Sequence, residues 1–406
     1  LDQKPRSVRL QRIVLVLTVI VIFAFMAKLA WALVDEANSS LSDFICFFEA
    51  SRRIRTGQPL YHPGITLGSC RFGGTEYLYP PTLALVLLPA PSYQVAWWGW
   101  AILSLACWLG ALALIVRELA GDLRQRLEPI WWPVLTMALV NFPPALFHLT
   151  CGQMQLLILM LATLAWLCLR RGRDGTAGVL LGLTIALKLY PALILLPLFI
   201  QRRWRCVVAA GSVAGSILFL GYTRVGWNEA YVYVTTILPG VSAVGSQALG
   251  FPTIGSLLRE IAGDCMLVSS IEWAIRVVIA GAVAWWAFRQ NDAPDRALTL
   301  GMTTLVLVPP LVWEHFFVLL YLPWLEMLAR SPRRRLPLLA VIYFLIATAS
   351  LAVNLPEQIG FLGNILPISG ALLLLGCQLQ ANGDNASSPS RPGPTVEYER
   401  MKEAGG

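Results

Sequence analysis

Residues 35–81 read DEANSSLSDFICFFEASRRIRTGQPLYHPGITLGSCRFGGTEYLYPP, and this stretch decides how the chain is to be understood. It is polar, while the runs on either side of it are apolar. A polar interlude between hydrocarbon-compatible runs reads as a loop outside a bilayer. Within it, Asp43 opens the segment DFICFFEASRRI. Phe44, Phe47, Phe48 and Ile54 recur there at roughly helical spacing, with Arg52, Arg53 and Arg55 at the far end. The pattern predicts an amphipathic helix that lies on a membrane surface rather than crossing it. A carboxylate held just above the bilayer by such a helix is a candidate general base. Asp43 reads equally as the N-cap of that helix.

Composition carries the same message to the whole chain. Of 406 residues 57% are hydrophobic and only 13% charged, and the mean hydropathy is +0.65. These values define a polytopic helical membrane protein. The net charge of +8 sits in short clusters between apolar runs, as in cytoplasmic loops, so it does not point to nucleic acid. Three histidines and eight cysteines show neither CxxC nor HxxxH spacing, so no metal site and no cofactor are expected. Cys46 and Cys70 share the interlude and read as a disulfide or as two unpaired small side chains. Phosphate-cradling GxxxxGK[ST], GxGxxG and zinc-binding HExxH patterns are absent from the sequence.

Charge placement gives the topology. Lys4, Arg6, Arg9 and Arg12 precede an apolar run at 13–34, which reads as a retained signal-anchor with a cytoplasmic N-terminus. The interlude at 35–81 is then external. Residues 82–90 lie between prolines and rise only about 15 Å as helix, half a bilayer core, so a re-entrant or tilted short helix is expected. Residues 93–116 are long enough to cross, and a charged connector is expected at 117–128. Two arginine clusters, Arg170, Arg171 and Arg173 and then Arg202, Arg203 and Arg205, both belong in the cytoplasm. Only two short helices with an outward turn at 188–191 satisfy that requirement. The same logic places HLTCGQMQ at 148–155 outside, followed by an external loop at 223–268 and by Trp313 and His315. RSPRRR at 330–335 is cytoplasmic. The expectation is one all-α transmembrane domain over 1–379 with about a dozen passages, short broken helices and an external amphipathic helix. A polar tail at 380–406 is expected to be disordered and cytoplasmic.

Asp43, Tyr79, Asn141, Gln153, Lys188 and His315 all come out external, most of them at broken helix ends. Irregular backbone at membrane depth is tolerated where protein or a watery cavity covers it, so an external cavity is expected. Lys188 lies between apolar neighbours, where an ammonium costs about 2.5–3.5 kcal/mol at mid-bilayer. It reads as a snorkelling lysine or as the cation for a substrate phosphate. His315 reads as a core histidine bonded to Glu314 or backbone, or as a donor to a phosphate oxygen. Gln153 reads as a helix-end group or as a substrate contact.

Several motifs occur in a fixed order: Asp43-Phe44 opening an aromatic helix, RTGQPLY from Arg55 to Tyr61, and Tyr79-Pro-Pro. They continue with Gly152-Gln153, ALKLYP around Lys188, RRWR at 202–205, and Trp313-x-His315. Together they resemble bacterial glycosyltransferase family 87, the GT-C-fold mannosyltransferases that use polyprenyl-phosphate-mannose. The resemblance implies a GT-C-type helical bundle, an external site, inversion at the anomeric carbon and no nucleotide sugar. It implies Asp43 as base, Lys188 as the family's buried lysine and His315 as its histidine after Trp. Gln153, Tyr79, Arg55 and Tyr61 are expected beside Lys188 and His315 on the donor phosphate or substrate, while Arg52, Arg53 and Arg55 also read as a headgroup-facing basic edge. Gln155 stands where the family commonly has Asn, residues 251–259 lack an Asn-x-Ser-Leu element, and Phe316 replaces a second histidine. The expected function is transfer of a hexose, most simply mannose, from a polyprenyl-phosphate donor to a lipid- or glycan-linked acceptor. The rival is a lipid or small-molecule transporter or flippase without transferase activity.

Overall fold

The structure is a computed structural model that describes residues 4–39, 43–61, 77–247, 251–290, 292–350 and 360–380. Cys70 and the tail beyond residue 380 lie outside the described residues, and with them the disulfide and tail expectations. The chain is an all-α polytopic membrane protein. Among the described residues there is no strand, and six helical stretches are long and apolar enough to cross a membrane. Three shorter apolar helices, Gln155–Arg170, Asp174–Leu187 and Tyr190–Ile200, accompany them.

The first helix, α1 (Lys4–Ser39), buries Phe25, Leu29, Leu33 and Ala37, one residue per turn. Ile13, Phe23 and Trp31 on its other sides are exposed, as a lipid-facing surface requires. The amphipathic helix α2 (Phe44–Arg55) forms as its spacing predicts. Protein rather than lipid takes up its apolar face, because the rings of the fourth helix reach it first. Phe44 stacks on Trp100 with centroids 5.9 Å apart and meets Trp97 edge-on at 5.6 Å. After the short α3 (Thr82–Val86) comes α4 (Tyr93–Arg126), capped by Ser92, whose hydroxyl accepts from Val95 N at 3.3 Å. This helix runs through the expected connector at 117–128 almost to its end. Its charges are met by neighbours, Glu118 receiving Arg170 at 3.0 Å and Arg171 at 3.1 Å, so nothing forces a break. At about 1.5 Å per residue it is some 50 Å long, and its last turns outrun the hydrocarbon.

The middle of the chain is broken as expected. Pro143 and Pro144 separate α5 (Trp131–Val140) from α6 (Pro143–Cys151), while Gly152 ends α6 in a left-handed conformation, φ 67°. The helices α7 (Gln155–Arg170) and α8 (Asp174–Leu187) follow. A 3-10 turn at Tyr190–Ile194 then leads into α9 (Leu195–Ile200) and α10 (Trp204–Val225). Gly178 and Gly182, one turn apart on α8, let α10 come into backbone contact. A Cβ at Gly182 would sit 2.7 Å from the Ala210 carbonyl oxygen.

Then come α11 (Trp227–Val232), a π-helical turn at Tyr233–Ile237, α12 (Leu238–Gln247), α13 (Ile254–Ala262) and α14 (Met266–Arg289). Glu272 on α14 receives Arg259 at 2.6 Å and also Arg276, a buried triad joining α13 to α14. The chain closes with α15 (Pro294–Thr304), a 3-10 helix at Glu314–Leu320, and α16 (Tyr321–Arg330). A 3-10 turn Arg333–Arg335, α17 (Leu336–Ala347) and α18 (Gly360–Gln380) complete it.

One end of the bundle gathers the basic helix ends. Asp295 at the start of α15 receives Arg330 at 2.9 Å and Arg170 at 3.4 Å, and Arg333 donates to the Gln125 carbonyl at 3.2 Å.

Candidate active site

Four interruptions in the helices meet around one cavity of about 180 Å3. They are the start of α2 at Asp43, the Tyr79-Pro80 segment, the α6–α7 break at Gln153 and the α8 end at Lys188. Trp313 and Pro309-Pro310 close the far wall, and Tyr233, Leu238 and Ser242 come from the expected external loop at 223–268.

The α6–α7 break is built around Gly152. A Cβ there would lie 2.6 Å from the Trp97 ring and 2.7 Å from Phe44 Cβ, and its φ is positive, so only glycine fits without strain. Trp100 Nε1 donates to the Gly152 carbonyl at 2.7 Å and fixes the turn from the other side. Tight packing of α2 over this turn is what carries Asp43 to Gln153.

Asp43 occupies the N-cap position of α2, but its side chain makes no capping hydrogen bond. Gln153 Nε2 instead donates to Asp43 Oδ2 at 2.9 Å. The other end of the same amide, Gln153 Oε1, accepts from Lys188 Nζ at 3.3 Å and from the Tyr79 hydroxyl at 3.5 Å. Turning the amide over would set oxygen against carboxylate and NH2 against ammonium, so the network itself fixes its orientation. The side chain of Gln153 thus bridges carboxylate and lysine, an arrangement that neither reading of it, helix-end group or substrate contact, had named. Burial pushes the Asp43 carboxyl up to about 6; the Gln153 hydrogen bond and the Lys188 charge pull it down, and Glu36 pushes it up.

Lys188 is 3% exposed. Its ammonium lies 4.6 Å from the Tyr79 ring centroid, 4.9 Å from Phe316 and 5.9 Å from Tyr190. Aromatic faces on several sides stabilise the cation where water is scarce, so Lys188 turns into protein rather than snorkelling out. Sequence reasoning did not place Tyr190 or Phe316 beside Lys188. The signal for Tyr190 was adjacency to Lys188 in ALKLYP; Phe316 was marked only as standing where the family commonly has a second histidine.

The other expected site residues stand behind the wall. Tyr61 donates to the Tyr79 carbonyl at 2.8 Å and so supports the segment that carries Tyr79. Its own backbone N–H and that of Leu60 are received by Glu229 Oε2 at 3.0 and 3.1 Å, an anchor invisible in the sequence. Arg55 donates to the Ala90 carbonyl at 2.7 Å and lies over Phe48, away from the cavity. Asn141 donates to Met137 of its own helix at 2.9 Å.

His315 is 1% exposed and sits between Trp313, in parallel contact at 6.2 Å, and His148, edge-on at 6.1 Å. Neither ring nitrogen has a hydrogen-bond partner among the described residues, so the expected bond to Glu314 or backbone is not observed. His315 does not line the cavity; its neighbours Trp313 and Phe316 do. Among the described residues, no three His, Cys, Asp or Glu side chains come together.

The architecture is thus that of a membrane enzyme whose cavity, mostly apolar with a few converging polar side chains, is assembled from broken helix ends. A sequence model of glycosyltransferase family 87 matches residues 77–310, and the chain belongs to that family. The matched stretch contains Tyr79, Gln153 and Lys188 and stops short of Asp43 and His315. The chain is 26% identical over 311 residues to the polyprenol-phosphate-mannose-dependent alpha-(1-2)-phosphatidylinositol mannoside mannosyltransferase of Mycobacterium tuberculosis, covering 71% of this chain and 70% of that one. It is 27% identical over 338 residues to the corresponding pentamannoside mannosyltransferase of Mycolicibacterium smegmatis, covering 81% and 78%. A second Mycolicibacterium smegmatis protein, named as a phosphatidylinositol mannoside mannosyltransferase of the same donor type, is 24% identical over 64% of each chain. No solved structure matches the chain.

Proposed function

We propose that this enzyme transfers mannose from polyprenyl-phosphate-mannose to a hydroxyl of a lipid- or glycan-linked acceptor, on the external face of the membrane and with inversion. The observation that carries the reading is the chain Asp43–Gln153–Lys188, which sets a carboxylate and an ammonium one amide apart on the wall of the cavity. The names of the three relatives support the donor and the sugar.

In this reading Asp43 takes the proton of the acceptor hydroxyl as its oxygen attacks the anomeric carbon. The bond from that carbon to the donor phosphate breaks, and the phosphate leaves with the electron pair. Lys188 faces the growing negative charge, which a desolvated ammonium stabilises more strongly than one in water. Gln153 keeps the two groups from collapsing onto each other as an ion pair, leaving the base free to accept a proton. His315 acts at one remove, packed against Trp313 and Phe316 as their support.

The external assignment rests on charge. Helix α7 runs from Gln155 beside the cavity to Arg170 about 24 Å away, where the other basic helix ends collect. Basic ends mark the cytoplasmic side, which leaves the cavity on the opposite one.

The test is transfer from radiolabelled polyprenyl-phosphate-mannose by purified protein, wild type against Asp43→Asn. Loss of turnover with donor binding retained is expected. Full activity of Asp43→Asn would remove the base assignment, and no transfer by the wild type from any polyprenyl-phosphate sugar would remove the donor assignment.

A further inference from the structure

From Trp227 to Gln247 the chain is one continuous helical stretch, α11 running through the π-helical turn into α12. It falls in what the sequence predicts to be an external loop, yet Glu229 is the only charged residue in it. Glu229 is turned inward, where it receives the backbone N–H groups of Leu60 and Tyr61. A surface that faces water ordinarily carries charged side chains; the outer side of this stretch shows none.

Its two faces differ. Tyr233 and Ile237, one turn apart, are buried, and Val241 a turn further on lines the Asp43 cavity. Trp227, Tyr231, Val234 and Leu238, three or four residues apart, are 54%, 68%, 61% and 39% exposed. That spacing makes one apolar stripe along the outside. The exposed polar side chains beside it, Asn228, Thr235, Thr236 and Ser242, are uncharged. Thr235 and Ser242 donate to the carbonyls of Tyr231 and Leu238 at 2.8 and 3.1 Å, which satisfies their hydroxyls without water.

The stripe prolongs a surface that hydrocarbon covers. Helix α10 is long and apolar enough to cross a membrane, and Phe219 and Leu220 near its end are exposed. The Phe219 ring meets Trp227 at 5.3 Å, so the two faces are continuous. Tryptophan and tyrosine favour the depth at which hydrocarbon gives way to headgroups. Lipid is therefore the occupant that fits this face.

The Asp43 cavity opens on the same helix. Of the residues that line it, Leu238 and Ser242 are the exposed ones, one turn apart on α12. Leu238 belongs to the stripe and to the mouth at once, and Lys188 lies on the inner wall.

We propose that Trp227–Gln247 lies in the membrane interface and that a lipid phosphate enters the Asp43 cavity sideways, across Leu238 and Ser242, with its chain left on the apolar stripe. The doorway rests on the reading of the cavity as the site of a lipid-linked substrate; the placement of the helix does not.

The full chain, held in phosphatidylcholine discs, is to carry a photoreactive p-benzoylphenylalanine in place of Tyr231, Leu238, Ser242 or Val277. Val277 of α14, 65% exposed on a membrane-spanning helix, gives the baseline. Radiolabelled phosphatidylcholine is expected to label the Tyr231 position as strongly as the Val277 position, and no labelling at Tyr231 overturns the placement of the helix. Traces of radiolabelled polyprenyl phosphate or phosphatidylinositol are then added. The Leu238 and Ser242 positions are expected to take up one of these lipids about fivefold above the Val277 position, the gain one lysine gives an anionic headgroup, and Lys188→Met should remove the excess. Excess with polyprenyl phosphate assigns the doorway to the donor and excess with phosphatidylinositol to the acceptor; either upholds it. Equal labelling of all three positions by both lipids overturns the doorway, whether or not Lys188→Met folds. Mannosyl transfer by a protein without that excess would leave the transferase reading standing and the doorway refuted, and an excess without transfer would do the reverse.

Discussion

Phe44 lies over Gly152 so closely that a methyl group added to the glycine would meet Phe44 Cβ at 2.7 Å. This contact joins the start of α2 to the α6–α7 break and brings Asp43 to Gln153. Gly152→Ala combines a left-handed backbone, about 1–2 kcal/mol for a residue with a Cβ, with overpacking of about 1–3 kcal/mol. Transferase activity is expected to fall at least tenfold, with a lowered unfolding temperature. An activity assay beside a melting curve checks both.

Gln153 holds Asp43 and Lys188 at the two ends of one amide. Gln153→Leu leaves both charges without that partner, and Gln153→Glu sets a second carboxylate against Asp43. Both are expected to lower turnover more than tenfold, since groups that act together lose more than their separate bonds. A double-mutant cycle with Asp43→Asn should show strong non-additivity. Additive losses would argue that the bridge has no part in catalysis.

The pH profile follows from the Asp43 carboxyl, pushed up to about 6. A base must be ionised to act, so activity should fall as pH drops through about 6. The Gln153 hydrogen bond and the Lys188 charge both pull that value down, so Gln153→Leu and Lys188→Met should each move the acid limb to higher pH. Stability has the opposite sign. A carboxyl raised from 3.8 to about 6 on folding holds its proton more tightly in the folded state, so its contribution is greatest in acid and is lost as pH rises through that window. Melting temperatures against pH for wild type and Asp43→Asn measure the difference.

Glu229 receives the backbone N–H groups of both Leu60 and Tyr61. Glu229→Ala leaves two buried donors without an acceptor, at about 1–3 kcal/mol each. The unfolding temperature is expected to drop clearly, and activity with it, because Tyr61 supports the segment carrying Tyr79. Glu229→Gln keeps an acceptor oxygen and should recover much of the loss.

Gly182 faces the Ala210 carbonyl across the α8–α10 contact. Gly182→Leu forces the two helices apart and is expected to lower the yield of folded protein in detergent, while Gly182→Ala should be tolerated better. Size-exclusion profiles of the two variants decide it.

The order of elements was legible because hydrophobic runs and arginine clusters are local signals. Proline pairs at 80–81 and 143–144 marked two of the breaks, and the ALKLYP motif marked the α8 end. The site was legible only as a set of residues on one side. Sidedness brought Asp43, Gln153, Tyr79 and Lys188 together, and the structure joins all four. It could not tell lining from support. Tyr61 and His315 lie behind the wall, and Arg55 is spent on the Ala90 carbonyl. The cage around Lys188 needed Phe316, which lies 128 residues further along the chain and was marked in the sequence only as a departure from a histidine, with nothing to link it to Lys188. The charged run at 117–126 stayed helical because Glu118 meets partners from α7, and such long-range pairing leaves no trace in the local sequence.

Asp295 draws Arg170 and Arg330 onto one carboxylate, across separations of 125 and 35 residues. The consequence concerns the order of events while the chain is being made. In chain order Arg170 waits 125 residues for Asp295, and the pair then waits another 35 for Arg330. A chain that stopped short of residue 330 would hold Arg170 and Asp295 without the arginine that completes the cluster, and without α17 and α18, so this corner of the bundle is among the later parts to close.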